Sequence, residues 1–187
     1  AVDFVAEHMS GAGDARVIDA IVADLARVAP SASLRDRILA ASAGPGRLYR
    51  FAEQIAAMVD VTIDKARELL DRVAEPTLWE RNLFPGMDAL WVEGGPAVAN
   101  CIRGFARLEA GAAFPEHEHL GDETTLVLEG VMLESGGAVV RPGEQIVMTA
   151  ATHHHYRAAP GRTDLLFFLV VREGIGLPGA KLLHRDG

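Results

Sequence analysis

Residues 114–130 read "FPEHEHLGDETTLVLEG". Two histidines, His117 and His119, stand one residue apart, and Glu123 follows four residues later. An apolar run then ends at Gly130. On a strand, side chains two residues apart share a face, so both imidazoles point the same way. Glu123 lies beyond the short "LGD" turn and can fold back toward that face. A third imidazole is supplied by "THHHY", residues 152–156. These two stretches hold five of the chain's seven histidines, so the clustering exceeds scatter. Three imidazoles with one carboxylate form a mixed nitrogen and oxygen donor set, suited to Zn, Fe, Mn, Ni or Cu. The neighbouring Glu116, Glu118 and Glu129 read as solvent-facing strand residues, and Gly130 and Gly143 as turns needing positive φ.

Around this stretch the sequence divides in character near residue 80. Residues 14–28 place Val17, Ile18, Ile21, Leu25 and Val28 on one stripe at helical spacing. Ser33 with Asp36 makes a capping box for a second helix. "AGPG" at 43–46 is a break, a third helix is expected over 47–59, and Thr62 can cap a fourth over 63–73. From about residue 83, strand-like runs at 89–95, 101–111, 124–137, 145–152 and 163–171 alternate with turn residues. Short strands at regular spacing predict a sandwich or barrel. The reading is therefore a mainly β chain, with a small helical region at 1–80 before a β-barrel at 81–187.

Composition narrows the function. The net charge of −8 is shared evenly, with 13 acids and 9 bases in residues 1–80 and the same in 81–187. Neither half has the basic balance of a nucleic-acid binder. The single cysteine, Cys101, excludes an intramolecular disulfide and any CxxC zinc site. The longest apolar run, "LLFFLVV" at 165–171, is far shorter than the ~20 residues of a spanning helix. The first residues carry no basic segment of the signal-peptide kind. A soluble, cytoplasmic protein is expected. Tyr156, Arg157, Arg107 and Trp91 are candidates to line a pocket, with packing or surface solvation as the simpler reading of each.

The arrangement resembles the cupin family. Its first motif is met at every fixed position by Gly111, His117, His119, Glu123 and Gly130. Its second motif is degraded, with Thr149, Ala151 and Ala158 at the places usually held by Pro, Gly and Asn. Counting eleven residues from Gly143 selects His154 over His153 and His155. The resemblance thus implies a cupin barrel with one divalent metal, Zn foremost and Fe, Ni or Mn as alternatives, on His117, His119, Glu123 and His154. No catalytic residue is singled out. Among cupins the chain resembles ChrR-type anti-sigma factors, and "APSASLRDRILAA" at 29–41 is similar to the segment after the core helices of many anti-sigma factors. That resemblance implies sensing of a small molecule or oxidative stress, an ECF-type sigma factor as partner and, as in many cupins, a homodimer. The family's His-x3-Cys-x2-Cys has no counterpart, since His8 precedes no cysteine before Cys101.

Two other readings compete. One is a metal-dependent cupin enzyme, such as a dioxygenase acting on a small molecule. The other is a helix-turn-helix regulator, because "FAEQIAAMVDVTIDKARELL" at 51–70 resembles that motif. The second helix there balances Lys65, Arg67 and Arg72 against Asp64, Glu68 and Asp71, whereas a recognition helix needs net positive charge. An αα-hairpin packing Ile55, Met58, Leu69 and Leu70 is the simpler expectation.

Overall fold

The computed structural model describes residue 34, residue 44 and residues 46–183. The helices expected at 14–28 and from Ser33 onward, with His8, lie outside the described residues apart from residue 34. The chain divides into two compact units, Ala1–Ser42 and Ala43–Gly187. The change of sequence pattern near residue 80 marks the first strand, whereas the packing division falls at 42/43.

Within the second unit, two helices come first. Helix α1 (Ala52–Val59) ends at Asp60, whose φ of 55° turns the chain left-handed. Asp and Asn tolerate that region better than bulkier residues. Helix α2 (Ile63–Asp71) opens with the Thr62 side chain accepting the Lys65 N–H, the cap expected from the sequence. The facing sides bury Ile55, Val59, Ala66, Leu69 and Leu70. On the outer face of α2, Asp64 pairs with Arg67 and Lys65 with Glu68, so its basic groups are balanced one turn away. The hairpin reading accounts for both faces.

Twelve strands follow: β1 Glu80–Phe84, β2 Met87–Trp91, β3 Cys101–Leu108, β4 Ala113–His119, β5 Glu123–Glu129, β6 Met132–Glu134, β7 Val139–Val140, β8 Gln145–Met148, β9 His153–Ala158, β10 Leu165–Arg172, β11 Ile175–Leu177 and β12 Ala180–Leu182. They form two six-stranded sheets. The first has the order β1-β2-β3-β10-β5-β8, the second β12-β11-β4-β9-β6-β7. Every recorded pairing is antiparallel, and from β3 to β6 and again from β7 to β11 each strand lies in the other sheet from the one before it, as in a jelly roll. The run expected as one strand over 124–137 is two. Gly130 takes φ +72° between β5 and β6, and a Cβ there would lie 2.6 Å from the Asp164 carbonyl oxygen. Only glycine allows the chain to cross between sheets at this point.

Two apolar cores result. One lies between the sheets and includes Ala106, Leu108, Phe114, Val127, Phe167 and Val171. The other joins α1 and α2 to the outer face of the first sheet, through Phe105, Leu126, Leu128, Leu166 and Phe168. Each buried aliphatic or aromatic side chain is worth roughly 1.5–3 kcal/mol. Polar ties hold the same junction. Gln54 Nε2 donates to the Gly143 carbonyl at 3.1 Å, Gly95 N–H to the Val59 carbonyl at 2.8 Å, and Ala97 N–H to Asp60 Oδ2 at 3.1 Å. Glu129, expected to face solvent, instead accepts a two-pronged bond from Arg47 at 3.0 and 3.2 Å. It sits beside the helical segment that covers its sheet. Among the described residues, no helix is long and apolar enough to cross a membrane.

Candidate metal centre

Strand β4 carries His117 and His119 on the face turned into the barrel, where they are 3% and 0% exposed. A register irregularity between Phe114 and His117 brings these two residues onto the same face although they are three apart. Strand β9 runs antiparallel to β4, with His154 directly opposite His117. Along β9 burial alternates strictly: His154, Tyr156 and Ala158 are buried, while His153, His155 and Arg157 are exposed. Glu123 enters from the first sheet, at the start of β5 opposite Val171, and is 7% exposed. The three inward histidines offer ligand atoms within 4.8 Å of one another and could hold a metal ion. Glu123 Oε2 is 3.2 Å from His119 Nε2.

The hydrogen bonds behind the rings decide their tautomers. His117 Nδ1 is 2.9 Å from the Pro115 carbonyl oxygen, which can only accept. His154 Nδ1 is 3.1 Å from Glu134 Oε1. His119 Nδ1 is 3.0 Å from Thr152 Oγ1, whose own proton goes to the Thr149 carbonyl at 2.6 Å. Each Nδ1 is therefore the donor, and each Nε2 carries a lone pair facing the others. Two of those lone pairs, on His117 and His154, meet at 2.9 Å. His119 Nε2 is buried and makes no hydrogen bond, although Glu123 Oε2 is close. The Thr125 hydroxyl donates to Glu123 Oε1 at 2.7 Å, which leaves Oε2 directed at the cluster. Lone pairs converging at such distances repel unless a cation lies between them. Acceptors behind metal-bound imidazoles do this same orienting work. The donor set and its supports fit a borderline divalent ion.

Electrostatics agree. Burial lowers the pKa of His117 to about 4, so its ring is neutral near pH 7. Burial also lowers that of His154, against the pull of nearby Glu123 and Glu134. For Glu123, burial favours the neutral acid, but positive charge on its His119 side and the Thr125 hydroxyl outweigh it and hold the carboxyl below its usual range; with His119 Nε2 unprotonated, a bound cation would supply that charge. Neutral imidazoles and an ionised carboxylate are the protonation states a metal requires.

The remaining candidates separate cleanly. Tyr156 and Trp91 line a small cavity beside His117 and Glu123. Arg157 points outward from β9, and Arg107 lies over the Trp79 ring at 4.5 Å, so for both the simpler reading, solvation and packing, holds. His155 is exposed and meets Glu116 at 2.9 Å on the outside of the barrel. Sequence reasoning missed Glu134, Thr152 and the Pro115 carbonyl, which fix the three rings. Thr152 was within reach, because it abuts the histidine run. Glu134 lies on a three-residue strand twenty positions before its partner, and no periodicity marks it.

Residues 93–171 match the family model of the ChrR cupin-like domain. The barrel has the cupin fold. No curated protein matches the sequence. A crystal structure of Rhodobacter sphaeroides SigE in complex with the anti-sigma ChrR is similar over 85% of this chain and 76% of that one, with 20% identity and a TM-score of 0.50. An acetylacetone dioxygenase from Acinetobacter johnsonii is similar over 58% of this chain and 81% of its own, with 14% identity and a TM-score of 0.49. An RmlC-like cupin protein from Ralstonia eutropha covers 57% of this chain and 71% of its own, at 18% identity and a TM-score of 0.47. At such identity the first of these likenesses establishes the cupin fold and nothing further.

Proposed function

We propose that this protein is a metal-binding cupin regulator of the ChrR anti-sigma type. The observation that carries the reading is the match of residues 93–171 to the ChrR cupin-like domain, joined to a histidine cluster pre-set for a cation. His117, His119, Glu123 and His154 hold one divalent ion, zinc foremost. Thr152, Glu134 and the Pro115 carbonyl orient the three rings, and Thr125 orients the carboxylate. A metal bound there supplies a Lewis-acidic position to which a small molecule or oxidant can couple. The helical region at 1–80 would supply the contact to an ECF-type sigma factor in the cytoplasm. Helices α1 and α2 are already committed to the core over the first sheet. No cysteine precedes Cys101 in residues 1–100, so these residues offer no thiolate zinc ligand to that contact. Like many cupins, the chain would act as a homodimer.

The test is co-expression of the full chain with ECF-type sigma factors from the same cell, followed by co-purification. The expected result is a stoichiometric complex with one of them. Absence of a complex with every such factor would remove the anti-sigma reading. A second reading, a metal-dependent enzyme such as a dioxygenase, is favoured by the cavity that reaches His117 and Glu123. Metal-dependent oxygen uptake with a diketone or aromatic diol would move it to the front.

A further inference from the structure

Three groups stand behind the inward histidines, and they differ in how firmly they are held. The Pro115 carbonyl is main chain of β4 itself. The Thr152 hydroxyl is pinned by the Thr149 carbonyl at 2.6 Å. Glu134, behind His154, comes instead from a surface hairpin. Its two strands pair at Met132–Val140 and Leu133–Val139, and β7 is the edge of the second sheet. The Glu134 side chain is 6% exposed, and its carboxylate gathers the tip of that hairpin. Oε1 accepts from the Ser135 hydroxyl at 2.9 Å, and Oε2 accepts from the Gly136 N–H. Ser135 is tied in turn to the main chain of β9 beside His154. Its N–H donates to the His155 carbonyl at 3.0 Å, and its hydroxyl accepts the His155 N–H at 3.3 Å. The tip closes at Gly137, which has φ +91° and donates to the Glu134 carbonyl at 2.9 Å.

One carboxylate therefore serves both the histidine cluster and the surface. We propose that the β6–β7 hairpin is the element through which the metal centre is felt at the surface: its tip, residues 134–138, tightens when the site is filled and loosens when it empties. This rests on the metal-binding reading above and gives that site a route of regulation. The Nε2 lone pairs of His117 and His154, 2.9 Å apart, are held together by a cation between them. Without one the rings part, and of the three anchors Glu134 is the one free to follow. With one, charge drawn through the His154 ring makes its Nδ1–H a stronger donor to Glu134. Such coupling is reciprocal, so whatever grips or strains the tip changes metal affinity by the same factor.

Hydrogen exchange at the tip tests this on the full chain, with zinc as the probe and zinc content measured on the same samples. In the wild type, zinc should slow exchange of the Gly136 and Gly137 amides about tenfold, the effect of strengthening one hydrogen bond to a charged group. The β1–β2 hairpin is the control, because its side-chain ties run to Asp88 rather than to a ligand, and it should not respond. Glu134→Gln, loaded in excess zinc, should lose the response at the tip. Gly137→Ala acts from the other side. A Cβ there meets nothing within 4 Å and strains only the main chain at its positive φ. It should weaken zinc binding roughly fivefold, as read by chelator competition, although it touches no ligand. A tip indifferent to zinc, an equal response in the control hairpin, an undiminished response in zinc-loaded Glu134→Gln, or wild-type zinc affinity in Gly137→Ala would each overturn the proposal and leave the metal site standing. Failure of the wild type to take up zinc would overturn the metal reading and this inference with it.

Discussion

Strands β9 and β10 lie in different sheets and bury themselves differently. In β10, "LLFFLVVR", Leu165, Phe167 and Val171 belong to the core between the sheets, while Leu166, Phe168 and Val170 belong to the core under the helices. Both faces are covered, so the sequence is a continuous apolar run. In β9, "HHHYRA", one face is wet and one is dry, and burial alternates residue by residue. The contrast explains what α1 and α2 are for. They cover the outer face of the first sheet, while His153, His155 and Arg157 on the outer face of the second are exposed. It also explains where the site is readable: on the half-wet strand, parity alone turns His154 in and His153 and His155 out.

The largest effect that would break this comparison is expected at Phe168. If the helices truly seal that face, Phe168→Ala should cost about 3–5 kcal/mol, comparable to Phe167→Ala on the other face. Urea denaturation measures both. A cost under 1 kcal/mol for Phe168→Ala alone would mean that the helical cover contributes little.

The buried cluster that the dry face of β9 shares with β4 makes the next prediction, through pH. His117 has a folded-state pKa near 4, below its ordinary value of 6.5. The unfolded chain therefore takes up the proton first on acidification. Stability of the metal-free protein is fully present above pH 6.5 and falls as pH drops toward 4, by roughly 3 kcal/mol at most from this group. His154, lowered in the same direction, adds to the slope. Flat stability across that window would contradict the neutral, buried assignment. Bound metal should be released in the same direction, because protons compete for the Nε2 lone pairs.

Glu134 comes third. Its Oε1 accepts from His154 Nδ1 and from the Ser135 hydroxyl at 2.9 Å, and Oε2 accepts from the Gly136 N–H. Glu134→Gln should weaken metal affinity about 10–100-fold, as loss of a carboxylate behind a ligating histidine does elsewhere. Competition with a chelator of known affinity reads this directly. Smallest of all is Arg47→Ala, which removes a half-exposed pair with Glu129 and should cost about 1 kcal/mol or less. A larger loss would show that the helical cover depends on that tie.

The barrel was legible because its strands are short, alternating and bounded by turn residues. His117, His119 and Glu123 were legible because the motif spaces them locally, and His154 because a count from Gly143 reached it. The contacts that orient them were not. Glu134 reaches His154 only because Gly130 breaks one apparent strand into two, in different sheets. Glu129 looked solvated because Arg47 lies 82 residues away, and no local pattern records such a partner. Arg157 could have been excluded from the cavity in advance, since it shares the parity of His153 and His155. Arg107 could not, because its neighbour Trp79 joins it only in the folded chain.

The central claim is that the inward histidines hold a metal and the outward ones do not. Elemental analysis of the purified full chain tests it, with wild type, His154→Ala and His155→Ala prepared side by side. About one equivalent of a divalent metal in wild type and His155→Ala, lost in His154→Ala, is the predicted result. Metal retained by His154→Ala but lost from His155→Ala, or none taken up by the wild type after reconstitution, would contradict it.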